Sequence, residues 1–183
     1  MSAIVASPRL GLATAVLAVG IDVAITLGLG WSPALPAYLL FGVCAATVTV
    51  TDLVERRIPN RVVGPGAVGA LSLLGVAAGV SGDPWPLARA AVAMVALAGF
   101  YVLLGLVFPR GMGMGDAKLA GLVGLVLGYL GWAAVADATL LGFWAAALFV
   151  LARRLAAPRL GRATVPMAPF MVAGAVAAVV TAR

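Results

Sequence analysis

Arg110-Gly111-Met112-Gly113-Met114-Gly115-Asp116-Ala117-Lys118-Leu119 places one carboxylate at the start of a strongly apolar run. Glycines at alternate positions give the backbone access to positive φ and to close approach by a neighbour, more cheaply than any residue bearing a side chain. The stretch predicts a tightly fitted loop that delivers Asp116 to the head of a helix. The apolar runs around it read as membrane scaffold for Asp116 and one partner.

The chain is 64% hydrophobic and only 10% charged over its 183 residues, with a mean hydropathy of +1.16, far beyond the roughly 45–50% apolar content of soluble domains. This is the composition of an integral membrane protein. Its apolar runs lie near the roughly 20 residues that cross a bilayer as a helix, which leaves no room for a soluble domain. The expected fold is all-α: a polytopic bundle of about seven transmembrane helices forming a single membrane-embedded domain over residues 1–183. The spans predicted are Leu10–Gly30, Ala34–Val54, Val62–Val80, Ala90–Phe108, Asp116–Leu130, Trp132–Ala152 and Val165–Ala182. Gly75-x-x-x-Gly79 and Gly124-x-x-x-Gly128 offer small-residue faces for helix packing, in a chain where glycine is abundant enough to produce such spacings by chance.

The net charge of +6 does not point to nucleic acid, because the basic residues sit in short connectors rather than on one surface. Their placement reads as topology. With the N-terminus cytoplasmic, the inner segments carry Arg9, Arg56, Arg57, Arg61, Arg110, Lys118, Arg153, Arg154, Arg159 and Arg162, and only Arg89 and Arg183 fall outside. The C-terminus then lies outside. Arg9 followed by a long apolar run, with no small-residue cleavage site, reads as an uncleaved signal anchor. The turn between the fifth and sixth spans is Gly131 alone, so a tight outer turn and a tilted re-entrant pair both fit.

The lone cysteine, Cys44, can neither close an intrachain disulfide nor join a Cys-based zinc site. With no histidine in the chain, His-dependent triads and His-ligated metals drop out, and no cofactor or metal is expected. Carboxylates lead the candidates for acid–base chemistry. There are six: Asp22, Asp52, Glu55, Asp83, Asp116 and Asp137. Asp83 suits a turn in Ser81-Gly82-Asp83-Pro84. Asp22 and Asp137 read as buried hydrogen-bond anchors or as the lining of a water-filled cleft, out of reach of the inner end. Tyr101, Trp132 and Trp144 read as packing or interfacial anchors.

Asp52 and Asp116 each have an ordinary account on their own. Asp52 can pair with Arg56 one helical turn on, and Asp116 can cap the fifth helix. Topology joins them, because Asp52 ends an inward-running helix and Asp116 begins an outward-running one. Pro59 is expected to end the second helix and Asn60 to suit the turn after it, so the chain reverses close to Asp52. Two carboxylates in contact do not both ionise readily, so they share a proton, one acting as base and the other as acid. That arrangement suits activation of water against an amide.

Asp52 with Ile58-Pro59-Asn60, followed by Gly113-Met114-Gly115-Asp116-Ala117-Lys118-Leu119, resembles the prepilin peptidases, the type IV leader peptidases of the GxGD aspartyl class. Val165-Pro166-Met167-Ala168-Pro169-Phe170 is similar to the Pro-x-x-Pro start of that family's last helix. The resemblance implies cleavage of the basic leader from prepilins or pseudopilins at the cytoplasmic face of a bacterial inner membrane. Asp52 and Asp116 would be the catalytic pair, Gly113 and Gly115 would shape the loop, Pro59 and Asn60 would support it, and Lys118 would sit beside it. The long members carry a Cys-rich insertion and also N-methylate the new terminus. With one cysteine and no insertion, this chain resembles the short form, like the enzymes serving Tad/Flp-type pili. Alternatives are a presenilin-like protease cutting within a helix, against which Ile58-Pro59-Asn60 argues, a small proton-coupled transporter using its aspartates as relays, and a non-enzymatic assembly subunit.

Overall fold

A computed structural model describes residues 7–108, 113–156 and 165–182. Arg110, Gly111 and Met112 of the glycine stretch, together with Arg159, Arg162 and Arg183, lie outside the described residues. The rest forms seven helices: α1 (Pro8–Leu29), α2 (Leu35–Glu55), α3 (Asn60–Ser81), α4 (Trp85–Val107), α5 (Met114–Leu130), α6 (Trp132–Ala156) and α7 (Ala168–Thr181). The expected seven-helix membrane bundle is what the chain forms. Five of the helices, α1 to α4 and α6, are long and apolar enough to cross a bilayer. The other two are short. At 1.5 Å per residue, the 17 residues of α5 reach about 25 Å and the 14 of α7 about 21 Å, less than the roughly 30 Å hydrocarbon core.

Local chemistry explains several of the boundaries. Proline stands at the first or second position of α1, α2, α4 and α7, where its missing N–H has no intrahelical acceptor to lose. Gly82 closes α3 in the left-handed conformation at φ 68°. Gly131, fully extended, is the whole connection between α5 and α6, so the turn there is a tight one. Exposed Trp31, Trp85 and Trp132 gather at the same end of the bundle, as expected of aromatic residues at a membrane interface.

The short α5 is the centre of the bundle. Every residue from Leu119 to Gly128 is buried, and the helix packs on α2, α3, α4, α6 and α7. A helix apolar all round is the kind that can be buried on every side. Its closest partner is α4, and glycine makes that approach possible. A Cβ added at Gly124 would stand 2.5 Å from the Ala93 carbonyl oxygen, and one at Gly128 would stand 2.9 Å from the Cα of Ala90. The Gly124-x-x-x-Gly128 face is therefore a packing face. Gly75 and Gly79 meet nothing within 4 Å, so that second spacing carries no such contact.

The last carbonyls of α5 have no partner within the helix and need partners from elsewhere. Arg89 supplies two of them: Nε donates to the Gly128 carbonyl and one terminal nitrogen to that of Tyr129, both at 2.7 Å. Gly131 N–H donates to Leu127, and the buried Tyr38 hydroxyl to Val126 at 2.7 Å. Arg89 thus sits as a cation at a helix C-terminus.

Gly124→Ala is expected to destabilise the bundle by about 1–3 kcal/mol through overpacking against α4. Gly75→Ala should stay within about 0.5 kcal/mol of wild type. Denaturant unfolding of the two variants in detergent micelles makes the comparison.

Candidate active site

Asp52 lies in the last turn of α2 and is 6% exposed. The helix stops three residues later, because Arg56 turns left-handed at φ 51° while its N–H still donates to the Asp52 carbonyl. Pro59 therefore does not end α2, as expected from the sequence. It precedes α3, with its carbonyl accepting from Val62 and Val63, and Asn60 is the first residue of α3 rather than part of a turn.

Asp116 is not the cap of α5 either. It is the third residue, because the helix begins two residues earlier than expected, at Met114. Its carboxylate turns back to accept the Gly113 N–H at 2.8 Å, while its own N–H donates to the Gly113 carbonyl at 3.0 Å. The acid thereby binds one of the unpartnered donors at the helix start, where the helix dipole also favours negative charge.

Of the two properties expected of the glycines, positive φ and close approach, only the second is used here. Gly113 is extended at φ −104° and Gly115 is helical, so positive φ explains neither. Close approach explains Gly115. A Cβ there would fall 2.9 Å from the Cβ of Ile58, in the segment between α2 and α3. One turn along the same contact, Lys118 Nζ donates to Asn60 Oδ1 at 2.9 Å. The first turns of α5 are thus docked on the chain reversal that follows Asp52.

This docking brings the two acids together. Asp52 lies within electrostatic reach of Asp116, and Arg56 within reach of Asp52. Asp52 Oδ2 also accepts the N–H of Ala168, the first residue of α7, at 3.1 Å. Each carboxylate is therefore held by a backbone amide from the start of a helix, Asp116 by its own and Asp52 by the last helix of the bundle. Asp22 and Asp137 are elsewhere. Asp22 presses on Gly42, ten residues and about 15 Å up α2 from Asp52, and Asp137 is exposed in the second turn of α6.

Residues 38–151 match the type IV leader peptidase family, a stretch that contains both acids and the motif residues around them except Val165 to Phe170. The chain belongs to the type IV leader peptidase family. Membership implies a membrane-embedded peptidase of the aspartyl kind acting on prepilin-type substrates. No curated protein and no solved structure matches the chain.

Two features of the candidate site were not read from the sequence. The Ala168 amide is backbone, and only the Pro-x-x-Pro string around it hinted that the start of α7 mattered. Tyr101, expected to be a packing residue, is buried at 4% exposure and also lies within electrostatic reach of Asp116. The register of α4 against α5 could have found it.

Gly115→Ala should destabilise the bundle by about 1–3 kcal/mol, because the new methyl meets Ile58. The same change made in an Ile58→Ala background should cost less than half as much, a non-additivity that a double-mutant cycle of unfolding free energies reads directly.

Proposed function

We propose that this chain is the membrane aspartyl endopeptidase that removes the leader from type IV prepilin-like substrates at the cytoplasmic face of a bacterial inner membrane, with Asp52 and Asp116 as its catalytic pair. One observation carries the reading: the start of α5 docks on the α2–α3 connection and brings the two motif acids within electrostatic reach at one end of the bundle. Family membership supplies the reaction class.

In the proposed mechanism one carboxylate is charged and the other protonated. The charged one takes a proton from water as the water oxygen bonds to the scissile carbonyl carbon, and the protonated one hydrogen-bonds the carbonyl oxygen. Collapse of the tetrahedral species breaks the C–N bond, and the carboxyl that took up the water proton gives one to the leaving amine. The pair ends with the same number of protons as it began. Gly113 and Gly115 set the position of Asp116, Pro59 and Asn60 start α3 beneath it, and Asn60 accepts from Lys118. A substrate with a cytoplasmic leader and an apolar helix would present its junction at this depth.

The proposal extends to a single membrane-embedded peptidase domain over residues 1–183, with the start of α1 cytoplasmic and the end of α7 outside. It also extends to the short form that serves Tad/Flp-type pili without N-methylation, given one cysteine in the whole sequence. A proton relay across the membrane is less well supported. Asp22 is packed against Gly42 and Asp137 is exposed near the opposite end from Asp52, so the acids do not line one path.

Asp52→Asn and Asp116→Asn should each lower leader cleavage of a co-expressed prepilin by about 100-fold or more, with membrane insertion unchanged. N-terminal sequencing of the product checks the cut. Substantial residual cleavage by either variant would exclude the two-carboxylate mechanism.

A further inference from the structure

Asp22 takes no part in the peptidase reading, and its surroundings set it apart from the other acids. It lies within the apolar length of α1, seven residues and about 10 Å before the helix ends at Leu29. Its Oδ1 is closed off from solvent and accepts no hydrogen bond among the described residues. That oxygen fits over Gly42 of α2, where any Cβ would overlap it. The neighbouring hydroxyl gives no help, because Thr26 donates to the Asp22 backbone carbonyl instead. Among the described residues, Asp22 therefore finds no partner for this oxygen in its own chain.

Asp22 also lines a groove of about 300 Å³, whose other walls are Val19, Val23, Thr26 and Leu27. All five residues belong to α1, so the groove runs along the outer flank of that helix. α1 is held from its other flank: Ile21 and Ile25 are its buried residues, and Gly28 seats it on α7 at Val180. The outer flank carries Leu12, Val16, Val19, Val23 and Leu27, all exposed, at spacings of four, three, four and four. A second helix can follow such a seam over several turns. Apolar residues alone suit lipid equally well. An acid does not, because hydrocarbon offers its carboxyl neither donor nor acceptor.

We propose that this flank of α1 binds the same flank of a second copy of the chain, in a two-fold dimer whose two Asp22 carboxyls hydrogen-bond each other within the membrane. Two arguments choose this occupant. Copies inserted with the same orientation carry Asp22 at the same depth, so a two-fold axis along the membrane normal brings the carboxyls face to face. A carboxyl is also its own complement: with a proton shared between the two, one donates and the other accepts. The described basic residues, by contrast, lie in connectors or near helix ends, so a second copy offers no cation at this depth. With Oδ1 seated over Gly42, the other oxygen of each carboxyl is the one presented to the partner. The dimer does not depend on the peptidase reading, and each copy supplies the half of the site that the other lacks.

The test uses the full chain, labelled at its C-terminus with donor or acceptor fluorophores and reconstituted into phosphatidylcholine vesicles, with energy transfer followed as added lipid dilutes the protein. Wild type should follow the dilution curve of a dimer. Asp22→Leu keeps the branched shape and removes the polar atoms, and it should weaken association about 5- to 30-fold, the range of one interhelical hydrogen bond in a membrane. Asp22→Asn keeps a donor and an acceptor and should restore most of the loss. A wild type that is monomeric at every dilution overturns the proposal and leaves the groove to lipid or to another membrane protein. So does a dimer that Asp22→Leu leaves intact, or one that Asp22→Asn fails to restore. If Asp22→Leu does not fold, disulfide trapping with Asp22 in place decides. In a Cys44→Ala background, Val23→Cys should form an interchain disulfide on oxidation with copper phenanthroline, while Val95→Cys, exposed on α4, should not. No disulfide at Val23→Cys, or equal trapping at both positions, overturns the interface.

Discussion

A helix buried on every side of a membrane bundle must satisfy both of its ends within the protein, and the structure is built around meeting that demand for α5. Lipid offers no hydrogen bonds to the donors at its start or the acceptors at its finish. At the finish, Arg89 and Tyr38 reach across from α4 and α2 to the exposed carbonyls. At the start, the Asp116 carboxylate itself takes up the Gly113 amide. The acid at the candidate site is thus also the device that ends the helix, so Asp116 lies at the depth where α5 begins.

The bundle was legible in the sequence because hydropathy reports directly on what a bilayer accepts. All seven helices fall where the apolar runs predict them, within a few residues at each end. What hydropathy does not report is which helix is central. The run that forms α5 is short and joined to its neighbour by one glycine, and those properties belong to a helix surrounded by protein rather than lipid. Nor does spacing alone separate a packing glycine from an idle one. Gly124-x-x-x-Gly128 and Gly75-x-x-x-Gly79 have the same pattern, and only the first has a helix pressed against it.

The candidate site was legible in its residues but not in its geometry. Asp52 and Asp116 could be paired from topology, since an inward helix ending in one acid and an outward helix beginning with another put both at one face. The surrounding motif was harder to read. Glycine suggested positive φ or close approach, and Gly115 serves the second, a contact with Ile58 whose partner no local pattern names. Pro59 suggested a helix stop, whereas Arg56 stops α2 by turning left-handed and Pro59 only leads into α3. Pro59 thus fits its position for a reason other than the one its usual statistics suggest.

The separation between the two acids is therefore a property of lateral packing rather than of chain connection. Between them the chain travels out along α3 and back along α4, so no short segment ties one acid to the other. Glycine sets how closely their helices approach. A Cβ at Gly66 on α3 would meet the Cys44 sulfur of α2 at 2.6 Å and a Leu122 methyl of α5 at 3.8 Å, so α3 is thinnest where both acid-bearing helices lean on it. Gly115 repeats the device nearer the acids, against Ile58. The Ala168 amide then joins α7 to Asp52 from the other side. A change in any of these contacts moves one carboxylate relative to the other without touching either, and a water shared between two acids tolerates little such movement. On this account the small residues between the helices govern the proposed chemistry as directly as the residues named in the motif.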